Sequence, residues 1–156
     1  MSKIALCLWF DGQAEEAMNH YLSLFERSKP LSVSRYGKGM PMPEGSVMVA
    51  SFELDGQEIM ALNGGPMFKF TEALSMLVHC DSQAEVDHFW NGLVEGGTPS
   101  RCGWLKDRFG VSWQIIPRAM GEMMSGSDKA RSGRVMQAMM TMSKIDIAAI
   151  EAARRG

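Results

Sequence analysis

The segment from Ile4 to Glu15, IALCLWFDGQAE, decides the fold because a matching segment, LSMLVHCDSQAE, follows seventy residues later from Leu74 to Glu85. In both copies a short run of bulky apolar residues, typical of a buried strand, precedes the shared pattern Asp-x-Gln-Ala-Glu. The matching context on both sides favours an internal duplication over a chance repeat of five residues. The chain is therefore predicted to contain two copies of one structural unit.

An amphipathic helix is predicted directly after each copy. Each helix has an apolar stripe at helical spacing: Ala14, Ala17, Met18, Tyr21, Leu22 and Phe25 in the first, and Val86, Phe89, Trp90, Leu93 and Val94 in the second. Asp11 is expected to cap the first helix, and Ser82 with Glu85 forms a capping box for the second. Gly96 and Gly97 are expected to end the second helix.

Strand-like runs follow each helix and complete the units. The first half contains Leu31 to Tyr36, Ser46 to Leu54 and Gln57 to Asn63, with Asp55-Gly56 as a strong hairpin signal. The second half contains Ser100 to Lys106 and Val111 to Ile116, joined by the turn Asp107 to Gly110 and halted by Pro117. The prediction is an α+β fold of two βαβββ units, about 1–66 and 67–118, whose sheets lie side by side as an open, barrel-like cup.

A Met-rich helical tail, about 119–156, follows the second unit. Helices are predicted around Met120 to Met124, Val135 to Met140 and Ile145 to Ala153, the last capped by Ser143, with a hinge from Gly126 to Gly133. Methionine fills irregular apolar gaps. The tail is therefore expected either to cover its own sheet or to dock on a second subunit.

The overall composition argues against several classes of partner. The formal net charge is only -2, so no electrostatic footprint for nucleic acid is visible. No apolar run approaches the roughly 20 residues that a membrane-spanning helix needs, and the start has no signal-peptide pattern. Three cysteines, an odd number without an export signal, indicate reduced thiols rather than a disulfide framework. A cytoplasmic protein is expected.

Several short motifs together resemble the PhnB-like proteins, which are related to glyoxalases and bleomycin-resistance proteins in the vicinal oxygen chelate superfamily. They are LWFDG at 8–12, the Asp55-Gly56-Gln57 hairpin, ALNGGP at 61–66, and CGW at 102–104 with DRFGVSWQ at 107–114. The resemblance runs from Ile4 to about Glu151. It implies the cup and a homodimer. Many relatives carry the label 3-demethylubiquinone-9 3-methyltransferase.

The same resemblance implies four positions for a divalent metal, on the first and last strand of each unit. The repeat places them near Ile4 and Leu74, and at Met60 and Gln114. Three of these four side chains are aliphatic or thioether groups, whereas hard or borderline divalent cations prefer carboxylate or imidazole ligands. No metal and no cofactor is therefore expected, and Gln114 is predicted to bind a ligand from the cup floor or to be satisfied by backbone.

Other candidate ligand-binding residues have an alternative structural explanation. Cys102, beside Arg101, is either an activated thiol or an ordinary strand residue. Trp104 is either an aromatic wall of the ligand site or part of the core. The segment from Asn63 to Phe70, including Phe68, is either a lip over the cup or a plain linker.

Three hypotheses for function follow. The first is a dimeric protein that binds a small apolar or aromatic molecule in the cup without metal. The second is an enzyme of the glyoxalase, dioxygenase or methyltransferase-labelled type, using a metal at Gln114, or Cys102 or Asp107 for proton transfer. The third is an interaction module that uses the Met-rich tail. Nothing in Asn63 to Pro66 supports a methyltransferase, because a Gly-rich turn would have to lie between an early strand and a helix.

Overall fold

The structure is a computed structural model that describes residues 2–156. Within these residues it contains eight strands and five helices. The chain divides into two compact units, the first reaching to Phe70 and the second running from Thr71 to Gly156.

Unit 1 is a four-stranded mixed sheet with one helix. Its elements are β1 (Leu6–Phe10), α1 (Ala14–Leu24), β2 (Ser28–Arg35), β3 (Val47–Leu54) and β4 (Gln57–Asn63). The strand order is β1-β4-β3-β2, and we call it sheet 1. β1 runs parallel to β4, whereas the other neighbours are antiparallel. The helix therefore serves as the crossover that parallel strands require.

Unit 2 repeats this topology and adds the tail. Its elements are β5 (Ser75–Cys80), α2 (Gln83–Val94), β6 (Thr98–Pro99), β7 (Trp104–Lys106), β8 (Ser112–Pro117), α3 (Ala119–Met124), α4 (Lys129–Met140) and α5 (Ile147–Arg155). The order β5-β8-β7-β6, which we call sheet 2, has β5 parallel to β8. The predicted α+β fold with two βαβββ units and C-terminal helices is confirmed.

Each helix packs on one face of its own sheet. In unit 1 the buried stripe of α1 meets alternate residues of three strands, and the rings of Tyr21 and Phe52 lie 6.3 Å apart. In unit 2, Val86, Trp90 and Leu93 of α2 are buried in the same way. Because strand side chains alternate between faces, the intervening residues belong to the opposite face. We call this second face the open face of each sheet.

The helix caps differ in part from the sequence prediction. Ser82 accepts a hydrogen bond from the Glu85 backbone N–H, so the capping box of α2 is confirmed. The prediction that Asp11 caps α1 is wrong, since Gln13 occupies the cap position and makes no side-chain capping bond. The Asn63 side chain supplies the acceptor instead, at 2.9 Å from the Ala14 N–H.

The turns account for the largest error in predicted strands. The Asp55-Gly56 hairpin is confirmed, with positive φ at both residues. The predicted strand from Ser100 to Lys106 is wrong, because a tight turn at Cys102 (φ 59°) and Gly103 (φ 83°) separates β6 from β7. A Cβ at Gly103 would lie 2.8 Å from the Ile115 carbonyl oxygen, so this approach admits only glycine.

The tail packs within unit 2. Met120, Met123, Val135, Ile145 and Ile150 form a buried cluster, and Ile116 of β8 packs against it. The predicted hinge is half helical, because α4 begins at Lys129 with Asp128 as its cap. The cap of α5 is Asp146 rather than the predicted Ser143.

One glutamine ties the tail to α2. The Gln83 amide donates to the Ile145 carbonyl at 3.0 Å and accepts from the Ile147 N–H at 2.8 Å. Lys144 adds an ion pair with Asp87 at 3.0 Å. The start of α5 is thus held by side chains of a helix that also covers sheet 2.

We predict that Gln83→Ala loosens the tail and lowers the free energy of unfolding by about 2–3 kcal/mol, since two hydrogen bonds to the tail and one to Asp87, of about 1 kcal/mol each, are lost. Hydrogen exchange should accelerate in α5 before it does in β8. Gln137→Ala, at an exposed position of α4, is the matched control. Equal exchange in α5 of the two variants would contradict this role.

Candidate functional site

The open face of sheet 2 brings together two of the predicted ligand-binding residues. Gln114 lies on β8 directly between Leu77 on β5 and Trp104 on β7. Leu77 is 48% exposed, and Gln114 and Trp104 are half-buried. These three side chains form what we call the apolar row, which presents an aliphatic group, an amide and an indole side by side.

A second row lies two residues further along the same strands. Ser112 on β8 is paired with Ser75 on β5 and with Lys106 on β7. Gln114 connects the rows, because its Nε2 donates to Ser75 Oγ at 2.9 Å. We call Ser75, Ser112 and Lys106 the polar row. The polar row could not be recognised from the sequence, because serine and lysine on a short strand form no motif.

The Ser112 hydroxyl is unusual within this row. Ser112 is only 2% exposed, and its Oγ has no hydrogen-bond partner within residues 2–156. A buried polar group without a partner costs about 1–3 kcal/mol. Such groups in native structures call for a specific explanation, of which an absent ligand or ion is one.

The Lys106 ammonium forms an ion pair with the Glu72 carboxylate. The hydrogen bond from Lys106 lowers the pKa of Glu72, so this carboxylate is fully ionised at neutral pH. Both side chains remain substantially exposed, at 43% for Lys106 and 64% for Glu72. Exposed ion pairs of this kind contribute little to stability and exchange readily.

The open face of sheet 1 carries Met60, another predicted ligand-binding residue. Met60 of β4 is 40% exposed and lies between Cys7 of β1 and Ser51 of β3. Trp9 lies on the same face, and its indole N–H donates to the Gly65 carbonyl at 2.8 Å. This face is therefore built from sulfur-containing and aromatic side chains.

The segment after β4 folds onto Trp9. The Phe68 ring packs edge-on against Trp9 at 4.9 Å and remains 59% exposed. A Cβ at Gly64 would lie only 2.4 Å from the Trp9 ring, so the backbone itself contacts the indole. Phe68 thus extends the aromatic surface of the open face of sheet 1.

Asn63 lies apart from the other predicted ligand-binding residues. It is 8% exposed on the helix-covered face, and its Nδ2 donates to the Val47 carbonyl at 3.0 Å. Its Oδ1 accepts from the Ala14 N–H. Both ends of the amide therefore hold unit 1 together, and Asn63 does not join the open face.

The remaining candidates also have structural roles. Cys102 lies in the turn between β6 and β7, and its backbone N–H donates to the Met142 carbonyl at 2.9 Å. Asp107 is 3% exposed and accepts hydrogen bonds from the Phe109 and Val111 N–H groups and from the Trp113 indole. These bonds organise the turn before β8, which leaves proton transfer by Asp107 without geometric support.

The cysteines are all unpaired in the described residues. Cys7 is exposed, whereas burial raises the pKa of the Cys80 thiol to about 12, with further contributions from Glu85 and Asp81. Cys80 is therefore an inert core thiol. Its neighbour His79 is exposed on the opposite face of β5.

Of the four positions implied for a metal, Met60 and Gln114 lie on the last strands as expected, whereas the expectation that Ile4 and Leu74 lie on the first strands is wrong. Met60 pairs with Cys7, and Gln114 pairs with Leu77, in corresponding registers of the two sheets. Ile4 and Leu74 precede their strands and are 78% and 58% exposed. Within residues 2–156, no group of three or more His, Cys, Asp or Glu side chains could hold a metal ion. These side chains do not fit the divalent metal that the sequence resemblance implies.

The duplicated βαβββ topology, with one open face on each sheet, defines the class of fold to which the chain belongs. The model of the family described as 3-demethylubiquinone-9 3-methyltransferase matches residues 2–116. The chain belongs to this family, and the PhnB-like resemblance is confirmed.

Solved structures agree with this assignment. A PhnB protein from Bacillus cereus is 40% identical with a TM-score of 0.70, over 74% of this chain and 99% of that one. A protein from Pseudomonas aeruginosa is 24% identical with a TM-score of 0.63, over 75% and 98% of the two chains. Comparison with curated proteins finds no match. The helices of the described residues are too short or too polar to span a membrane.

We predict that Asn63→Ala lowers the free energy of unfolding by about 3 kcal/mol, because it leaves the Ala14 N–H and the Val47 carbonyl unsatisfied in the core. Urea unfolding measures the change. Asn91→Ala, at an exposed position of α2, is the control and should be nearly neutral. A stable Asn63→Ala protein that loses only ligand binding would contradict the structural role.

Proposed function

We propose that this protein binds a small molecule with an apolar or aromatic body on the open face of sheet 2, without a divalent metal. The observation that carries the proposal is the apolar row of Leu77, Gln114 and Trp104. An exposed leucine beside an indole offers apolar contact area, and the amide between them can fix the orientation of a polar group. Met60, Trp9 and Phe68 offer a comparable surface on sheet 1.

Metal-free binding is supported by the side chains at the four positions that the resemblance implies. Ile4 and Leu74 have no donor atoms, and Met60 offers only a thioether. Gln114 provides one neutral amide, which already donates to Ser75. A ligand set with one weak oxygen donor would hold Ni²⁺, Zn²⁺, Mn²⁺ or Fe²⁺ poorly.

Two alternatives receive less support from the described residues. The family description names a methyltransferase, yet Gly64 is packed against the Trp9 ring after a hairpin strand, which is not the strand-to-helix loop of a Rossmann-type site. Most of the large apolar side chains of the Met-rich tail pack within unit 2, although Met136 and Met140 are exposed, and this packing weakens the case for a tail-based interaction module. Elemental analysis for retained metal distinguishes a metal-dependent glyoxalase or dioxygenase from a protein that binds its ligand without metal.

We predict that the protein binds naphthaleneacetate or a similar aromatic probe equally well with and without a chelator, and that Gln114→Ala weakens binding about tenfold, the loss expected for one well-placed polar contact. Isothermal titration measures the binding of the probe. Elemental analysis after incubation with nickel, zinc, manganese and iron(II) measures the metal that the protein retains. Gln137→Ala is the control. Near-stoichiometric retained metal, or unchanged binding by Gln114→Ala, would contradict the proposal.

The protein is also proposed to form a homodimer, as the superfamily resemblance implies. Large apolar side chains outside the unit cores support this, among them Met67 at 77% and Phe68 at 59% exposed. Exposed apolar clusters of this kind commonly mark interaction surfaces. The three unpaired cysteines are consistent with a cytoplasmic location, which we propose as well.

We predict that sedimentation equilibrium finds two copies of the 17.2 kDa chain per particle at micromolar concentration. Replacing Met67 and Phe68 with serine should shift the equilibrium towards the monomer, because apolar area is lost from the interface. Replacing the exposed Met136 and Met140 of α4 with serine is the control. A wild-type monomer at every concentration would contradict the dimer.

A further inference from the structure

We infer that the polar row is a carboxylate-binding subsite, so that the ligand of sheet 2 is an aromatic or apolar carboxylic acid. This inference rests on the proposed function and specifies its ligand. The apolar row holds the body of the molecule, and the polar row, Ser75, Ser112 and Lys106, receives its acidic end.

The spacing of the rows fits such a molecule. Residues two apart on a strand lie about 6.8 Å from each other, and neighbouring strands lie about 4.8 Å apart. An aromatic ring over Gln114 would therefore place a carboxylate one short linker away, beside Ser112. An aryl acetate has this length.

Glu72 shows that the row accepts a carboxylate. Its side chain already holds the Lys106 ammonium in an ion pair. The pair is exposed on both sides and contributes little to stability, so a ligand carboxylate can replace Glu72 on the Lys106 ammonium. Glu72 then acts as a built-in competitor that leaves when the ligand arrives.

The Ser112 hydroxyl supplies the second, independent observation. It is buried and lacks a hydrogen-bond partner among the described residues, while its neighbours across the sheet are a hydroxyl and an ammonium. All three groups donate hydrogen bonds, and a carboxylate has two oxygens that accept them. Neutral amides and alcohols lack the charge that Lys106 would neutralise.

Binding of naphthaleneacetate and naphthaleneacetamide to the full chain tests the inference, because the two probes share a ring and differ in charge. We expect the acid to bind about tenfold more tightly at neutral pH, as a charge-assisted contact would provide. Lys106→Gln should abolish this preference by weakening acid binding about tenfold. Lys129→Gln, on the exposed start of α4, is the control.

Two further variants separate a binding role from a structural one. Glu72→Gln should strengthen acid binding severalfold, because it removes the competitor, and leave amide binding unchanged. Ser112→Ala should keep or raise the melting temperature, since its hydroxyl has no partner to lose, and weaken acid binding.

Equal binding of acid and amide by the wild-type protein, or a preference that survives Lys106→Gln, would overturn the carboxylate subsite and leave the proposed function standing. Failure of both probes, together with failure of a panel of uncharged aromatic compounds, would overturn the proposed function as well. Inorganic phosphate that displaces the acid completely would show a general anion site and would also overturn the assignment to carboxylates.

Discussion

Parallel pairing of the first and last strand of each unit is the constraint on which the rest of the structure depends. Because β1 lies beside β4, and β5 beside β8, a helix must cross between them, and this helix covers one face of the sheet. The crossover helix leaves the other face uncovered, and in unit 2 the tail packs against Ile116 at one end of that face. The same register sets Met60 and Gln114 at corresponding places on the two open faces.

The two units use this shared plan differently. On sheet 1 the open face carries thioether, thiol and indole groups, and the segment after β4 folds onto Trp9. On sheet 2 the open face carries an amide, two hydroxyls and an ammonium beside Trp104. The two units thus share a backbone register, while the side chains on their open faces differ.

Local patterns in the sequence predicted most of the fold. The repeat, the Asp55-Gly56 turn and the Ser82 cap are encoded by neighbouring residues, and all three are confirmed. Contacts between distant residues could not be predicted in this way. Asn63 replaces Asp11 at the start of α1 because the fold brings β4 beside the helix. The polar row was missed for the same reason, since Ser75, Lys106 and Ser112 meet only when three strands pair.

The proposed ligand surface is the open face of sheet 2. The NMR resonances of the indole N–H groups of the four tryptophans test this proposal most directly. Titration with naphthaleneacetate in the presence of a chelator should shift the Trp104 resonance. The buried Trp113, whose indole donates to Asp107, should not respond, and neither should Trp90 of α2. A saturated complex in which the Trp104 resonance stays in place would contradict the account.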